Sequence, residues 1–140
     1  MTDPLVYTFF VDGDNFTSAG EASVKMKKNL RMLGIAPDAI RRVAIAMYEG
    51  EINMVIHAGG GTATVSVFHD RIDIVLEDNG PGIADVELAM REGFSTASDN
   101  IRNLGFGAGM GLPNMKKNTD SMSIDSTVGV GTRIAMTVNL

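Results

Sequence analysis

Cysteine and tryptophan are both absent from this chain of 140 residues. Without cysteine the protein has neither a disulfide framework nor a thiolate metal site, which is compatible with the cytoplasmic location that we expect. No stretch approaches 18 consecutive apolar residues, and the segment Met1-Thr2-Asp3-Pro4 has no basic residue of the kind that opens a signal peptide. We therefore predict neither a membrane span nor a cleaved leader.

Basic clusters are also lacking. The formal net charge is −5, and no run of lysine and arginine marks a surface for phosphate backbones, so we expect no nucleic-acid partner and no membrane partner. Hydrophobic residues make up 44% and charged residues 21% of the chain, a balance typical of a folded globular protein. The length matches one ordinary domain, which we place at residues 1–140.

Strand and helix patterns alternate along the chain. Strands are predicted at residues 5–11, 62–68, 72–77, 121–125 and 131–138. A first helix is predicted from a capping box of Ser18 and Glu21 to Gly34, and a second from Pro37 to the glycine run 59–61. A short helix near residues 86–91 and another at 112–117 follow. The pattern predicts an α/β fold, a two-layer sandwich with helices on one face of a mixed, mainly antiparallel sheet.

The second predicted helix carries a polar stripe. Glu49, Asn53 and His57 are four residues apart and so share one face, whereas Glu51 points elsewhere. Such a stripe is either a solvated edge or part of a site. Beside a nucleotide pocket, Asn53 would offer an oxygen to Mg²⁺, and Glu49 would accept a proton from the group that attacks the γ-phosphate.

Two glycine clusters follow the helix. Asp78-Asn79-Gly80-Pro81-Gly82 is either a plain turn or a strand end whose glycines let a flat base approach, with Asp78 accepting a hydrogen bond from an exocyclic amine. Gly105, Gly107, Gly109 and Gly111 alternate just before a helix, which predicts either a hinge or a phosphate site. In Gly129-Val130-Gly131-Thr132, a hairpin turn is the default interpretation, with Thr132 a candidate contact to the base.

In this order the motifs resemble the N box, the two glycine boxes and the closing box of the GHKL ATPase superfamily, which includes DNA gyrase, MutL and histidine kinases. The resemblance spans roughly residues 40–138 and implies the Bergerat fold, similar to that of histidine kinase ATPase domains. Because the chain has no room for a phosphoacceptor domain, it looks most similar to small anti-sigma factors of the SpoIIAB and RsbW type and to RsbT-type switch kinases. The strings Glu77-Asp78-Asn79-Gly80-Pro81-Gly82-Ile83 and Gly109-Met110-Gly111-Leu112-Pro113 favour the RsbT type.

The resemblance implies roles for individual residues. Glu49 would be the catalytic base, Asn53 the ligand of Mg²⁺, Asp78 the adenine contact and Thr132 its support. Nucleotide binding would further involve these residues: Gly80, Gly82, Ile83, Gly105, Gly107, Ala108, Gly109, Met110, Gly111 and Leu112. Residues 97–104 make the predicted lid longer than in the RsbT type, and Arg102 there is a candidate phosphate contact.

The implied function is that of an ATP-dependent serine/threonine kinase of a bacterial partner-switching system, using ATP and Mg²⁺ to phosphorylate a STAS-domain antagonist protein. Two alternatives stay open: an anti-sigma factor that binds a sigma subunit, and a nucleotide-gated binding module with little catalysis. A sigma factor, a phosphatase and a second copy of the chain are further candidate partners.

Overall fold

A computed structural model describes residues 3–13, 19–83, 90 and 111–140 of the chain. In these ranges the elements follow one another as strand β1 (Leu5–Asp12), helices α1 (Glu21–Met32) and α2 (Pro37–His57), strands β2 (Gly60–Val67) and β3 (Arg71–Asp78), helix α3 (Gly111–Lys117), and strands β4 (Ser121–Thr127) and β5 (Gly131–Asn139). The predicted strands and three of the predicted helices are thus present. The helix predicted near residues 86–91 lies outside the described residues.

The five strands form one sheet in the order β1-β2-β3-β5-β4. All four pairings between described strands are antiparallel, so the predicted mainly antiparallel sheet is confirmed and no parallel pair joins these strands. Hairpins explain two of these pairings: β2 and β3 are joined by a short turn in which the Phe68 amide donates to the Arg71 carbonyl, and β4 and β5 by another.

Burial alternates along the strands and defines the inner face of the sheet. On β3, Ile72, Ile74 and Leu76 are buried while their neighbours are more exposed, as the period of two requires. The helices cover this face, which gives the predicted two-layer sandwich. The core shared by both layers includes Met26, Leu30, Val43, Met47, Val65, Ile74, Met115, Met136 and Val138.

The end of α1 follows the predicted chemistry, but its start does not. Gly34 adopts a left-handed conformation (φ 74°), and the Ile35 amide donates to the Leu30 carbonyl, as in a Schellman motif. At the start, the predicted capping box is wrong. The N-cap residue is Gly20, at φ 98°, which has no side chain that could cap the helix. Ser18 lies outside the described residues. The acceptor for the free amides comes instead from Glu51 on α2.

Gly50 brings α2 close to the sheet. A Cβ atom at this position would overlap Cδ1 of Leu76 on β3 and lie 3.6 Å from Cε of Met115 on α3. A glycine inside a helix costs about 1 kcal/mol relative to alanine. Its presence here is explained by this close packing rather than by a loosened helical turn.

We expect Gly50→Ala to destabilise the protein even though alanine is the better helix former. Overpacking a filled core costs about 1–3 kcal/mol, which outweighs the gain in helix propensity. Urea unfolding of the variant measures the effect. Gly34→Ala is the comparison variant, because its Cβ atom would meet open space and only the positive φ would be strained. A Gly50→Ala protein more stable than the wild type would contradict the packing argument.

Candidate functional site

The polar stripe of α2 is half-buried at the helix surface. Glu49 and Asn53 lie one turn apart on the same face, and both side chains are partly exposed. His57 continues the stripe at the last residue of the helix, where burial lowers the pKa of its imidazole. The predicted pair of a carboxylate and an amide thus lies side by side and within reach of solvent.

Helix α3 packs on this pair. A Cβ atom at Gly111 would lie 2.8–2.9 Å from both polar atoms of the Asn53 amide, so a larger residue there would displace the Asn53 side chain. One turn later, Nδ2 of Asn114 donates a hydrogen bond of 3.3 Å to Oε1 of Glu49. Leu112, in the same turn, is buried in the core. The first turn of α3 therefore contacts both predicted functional residues of α2.

Asp78 ends β3 on the inner face of the sheet. Its Oδ1 accepts hydrogen bonds from the backbone amides of Gly80, at 2.9 Å, and Thr132, at 3.2 Å. Among the described residues, no hydrogen bond reaches Oδ2. Within the described part of the chain the carboxylate is thus fixed by one oxygen alone.

The glycines around Asp78 permit close backbone approaches. A Cβ atom at Gly80 would lie 2.6 Å from Cα of Ala58, just beyond α2, and one at Gly82 would lie 2.5 Å from the Thr127 carbonyl oxygen. One at Gly131 would overlap the carbonyl oxygen of Asp78. The turn after β3 is therefore pressed between the end of α2 and the β4–β5 hairpin, which brings Asp78 into the same region as the α2 stripe.

A hydroxyl pair completes this side of the site. The Oγ atoms of Ser126 and Thr132 are 2.9 Å apart, and the Ser126 hydroxyl also accepts a 2.7 Å hydrogen bond from the Ile83 amide. Ser126 thereby links the turn after β3 to Thr132 on β5. Thr132 stands directly opposite Asp78 in the pairing of the two strands, so the two residues are neighbours across the sheet.

Glu51 lies between these elements but faces away from the stripe. Its side chain is 2% exposed and accepts three backbone hydrogen bonds from the start of α1: from Gly20 at 2.8 Å, Ala22 at 3.2 Å and Ser23 at 2.7 Å. Burial raises the pKa of this carboxyl group, and the three amide donors partly offset the rise. Glu51 therefore caps α1 from a neighbouring helix.

A cavity of about 570 Å³ opens at the glycine end of the sheet. Asp78 and Thr132 line it, but the α2 stripe does not, and its lining also includes Glu77 and Arg133, which point to the opposite face of the sheet. The cavity thus coincides with the site only at the strand ends. We define the site by the contacts among α2, α3 and the turn after β3.

The remaining predicted site residues lie outside the described residues. These are Gly105, Gly107, Ala108, Gly109 and Met110, together with the candidate phosphate contact Arg102. Within the described ranges, no helix is long and apolar enough to cross a membrane.

The contacts of three residues in the site region were not predicted from the sequence. Glu51 was expected to point away from the polar stripe, but its burial was not predicted, because Glu49 and Gly50 precede it and no apolar run surrounds it. Ser126 continues the alternation of partly buried residues on β4, which places it on the inner face of the sheet. Asn114 follows Gly111 by three residues and so shares its helical face, but nothing in the sequence showed what that face contacts.

Comparisons with known proteins agree with this geometry. Residues 38–140 match the family described as histidine kinase-, DNA gyrase B-, and HSP90-like ATPase. The chain is 36% identical over 97 residues to the serine/threonine-protein kinase RsbT of Bacillus subtilis, covering 66% of this chain and 67% of RsbT. It is 34% identical over 105 residues to the anti-sigma F factor of Caldanaerobacter subterraneus, covering 71% and 70% of the two chains.

A solved structure shares the fold at low identity. A chain in the crystal structure of the SiaB–SiaC complex from Pseudomonas aeruginosa superposes with a TM-score of 0.55 at 9% identity, covering 97% of this chain and 89% of that one. This likeness concerns the fold alone. The family match over residues 38–140 and the identity to RsbT and to the anti-sigma F factor confirm the predicted resemblance, and the chain belongs to the family of histidine kinase-, DNA gyrase B- and HSP90-like ATPases.

Proposed function

We propose that this protein is an ATP-dependent serine/threonine kinase of a partner-switching system, and that its substrate is a STAS-domain antagonist protein. The observation that carries the proposal is the placement of Glu49 and Asn53 on one half-buried face of α2, held by α3 next to the turn that contains Asp78. The likeness to RsbT supports the kinase activity, and RsbT is itself a serine/threonine kinase.

Asp78 would bind the adenine. Its Oδ1 is occupied by two backbone amides, so Oδ2 is the acceptor left for the exocyclic amine of the base. Thr132 would support the same base from β5, and Gly80, Gly82 and Ile83 would shape the pocket wall. Guanine has a carbonyl oxygen in place of this amine, and that oxygen would face Oδ2 of Asp78 with no hydrogen between the two acceptors. The site therefore favours ATP over GTP.

Asn53 would hold Mg²⁺ through its amide oxygen. No group of three or more carboxylate or histidine ligands lies in the part of the chain that the structure describes, so phosphate oxygens and water would supply the other ligands, as is usual for this ion. When bound, the ion neutralises charge on the phosphates. Gly111 and Leu112, and the predicted contacts Gly105, Gly107, Ala108, Gly109 and Met110 before them, would bind the phosphates.

Glu49 would act as the base in the transfer itself. The hydroxyl oxygen of a serine or threonine on the partner forms a bond to the γ-phosphorus, and its proton passes to the Glu49 carboxylate. The bond between the γ-phosphorus and the bridging oxygen breaks, and ADP leaves. The products are ADP and a phosphorylated partner.

The direct test is incubation of the protein with γ-labelled ATP, Mg²⁺ and purified STAS-domain proteins from the same genome. Transfer of label to a serine or threonine of one of them is the expected result. ATP binding with no label on any of these proteins would overturn the kinase proposal.

An anti-sigma role is the second candidate, because the anti-sigma F factors match the chain over a similar length. In that case the same protein would also bind a sigma subunit. Co-purification with sigma factors in the presence and absence of ATP distinguishes the two roles, and a switch kinase is expected to retain none of them.

Asp78→Asn is expected to weaken ATP binding roughly 10- to 100-fold, the effect of losing a hydrogen bond to a charged group. Asparagine keeps an Oδ1 acceptor for the two backbone amides but presents a donor where Oδ2 faced the amine. Isothermal titration with ATP measures the change. Glu77→Gln, next along the chain and on the opposite face, is the matched control; an unchanged dissociation constant for Asp78→Asn would contradict the adenine contact.

A further inference from the structure

Asn114 links α3 to the proposed catalytic base. Where the two helices meet, Gly111 lies against Asn53 and Asn114 lies against Glu49. The later residue on α3 therefore contacts the earlier residue on α2. The helices thus run antiparallel where they touch. Each residue of the proposed pair on α2 has its own contact in the first turn of α3.

The hydrogen bond itself has a defined direction. Nδ2 of Asn114 donates to Oε1 of Glu49 at 3.3 Å, and among the residues that the structure describes Asn114 is the only donor to this carboxylate. Held by one oxygen, the carboxylate can turn its Oε2 toward a substrate hydroxyl. An amide suits this role because it donates without carrying charge and without competing for the proton.

Asn114 is itself well anchored. Its neighbours Pro113 and Met115 are buried in the core, and its backbone carbonyl accepts hydrogen bonds from both the amide and the side chain of Asn118. The first turn of α3 is therefore a rigid support for the base.

We propose that Asn114 is a positioning residue for phosphotransfer, orienting the Glu49 carboxylate toward the hydroxyl of the protein substrate. The inference rests on the proposed function, since it takes Glu49 as the base. Asn114 touches neither substrate nor nucleotide in this proposal. Its removal is expected to change the turnover number rather than the affinity for ATP.

The test compares Asn114→Ala and Asn114→Asp with the wild type in steady-state phosphotransfer. Asn114→Ala is expected to lower kcat about 3- to 10-fold, the effect of one neutral hydrogen bond, with the KM for ATP unchanged. Asn114→Asp has the same shape but places a second carboxylate against Glu49, so we expect a larger loss, above about 10-fold. Lys116→Ala, which removes an exposed side chain of the same helix, is the control expected to retain the wild-type kcat.

A double-mutant cycle separates positioning from a merely structural effect. If Asn114 acts through Glu49, Asn114→Ala has no further effect on the residual rate of Glu49→Gln. An equal fold-loss in both backgrounds, an unchanged kcat for Asn114→Ala, or a change confined to the KM for ATP would each overturn the inference. Full activity of Glu49→Gln alone would instead overturn the proposed base, so the two failures are distinguishable.

Discussion

Glu49→Gln is expected to lower the rate of phosphotransfer about 100- to 10,000-fold, the range typical of losing a general base, while the dissociation constant of ATP changes less than about twofold. Glutamine preserves the shape of the side chain and can still accept the hydrogen bond from Asn114, so α2 and α3 stay packed. It cannot take up the proton of the attacking hydroxyl. Single-turnover transfer from γ-labelled ATP and calorimetric titration measure the two quantities separately.

Glu21→Gln is the matched control for this experiment. Glu21 is an exposed carboxylate at the start of α1, so its substitution should leave both transfer and ATP binding at wild-type values. Transfer by Glu49→Gln at the wild-type rate would show that Glu49 is not the base. A large loss of ATP affinity would instead place Glu49 in nucleotide binding.

The elements with a strong local pattern were predictable from the sequence. The hairpin strands β2 and β3 are rich in β-branched residues, and α2 has Pro37 at its start and glycines after its end, so short-range rules were sufficient. The same holds for the placement of Asp78 at a strand end. These features depend on neighbours within a few residues along the chain.

Contacts between distant segments were not predictable in the same way. The helix start at Gly20 looked as if Ser18 and Glu21 capped it, because no local rule detects an acceptor 28–31 residues away. The bond from Asn114 to Glu49 spans 65 residues. Such pairs form because the helices pack together in the fold, and the sequence around either residue does not show which partner it will meet.

Three consecutive residues of α2 show how one helix turn organises the site. Successive helical residues point about 100° apart, so Glu49, Gly50 and Glu51 face three different elements. Glu49 meets α3, Gly50 lies against β3, and Glu51 caps α1. The proposed base is therefore carried on a turn fixed from three sides, and a change at any of the three residues affects a different neighbour.

Glu51→Ala is expected to lower the free energy of unfolding by about 3 kcal/mol at pH 7. The substitution removes the acceptor of three backbone amides of α1, two of them within 2.8 Å, and leaves a cavity at a position that is 2% exposed. Urea denaturation followed by circular dichroism measures the loss. Glu21→Ala, an exposed carboxylate in the first turn of the same helix, should cost less than about 1 kcal/mol.

Glu51→Gln separates the effect of the charge on stability from the effect of the hydrogen bonds, because glutamine is neutral but still has an acceptor oxygen. Because burial raises the pKa of Glu51 in the folded protein, the native state binds this proton more tightly than the unfolded chain does. The stabilisation that comes from this tighter proton binding is therefore complete below about pH 4.5, the ordinary value for glutamate, and is lost as pH rises through the raised value, whereas the carboxylate still accepts the three amide hydrogen bonds at pH 7. We expect the stability of the wild type relative to Glu51→Gln to fall over that interval. A relative stability that rises with pH would instead show that the three amide donors outweigh burial, and would assign to Glu51 a charge that stabilises the start of α1.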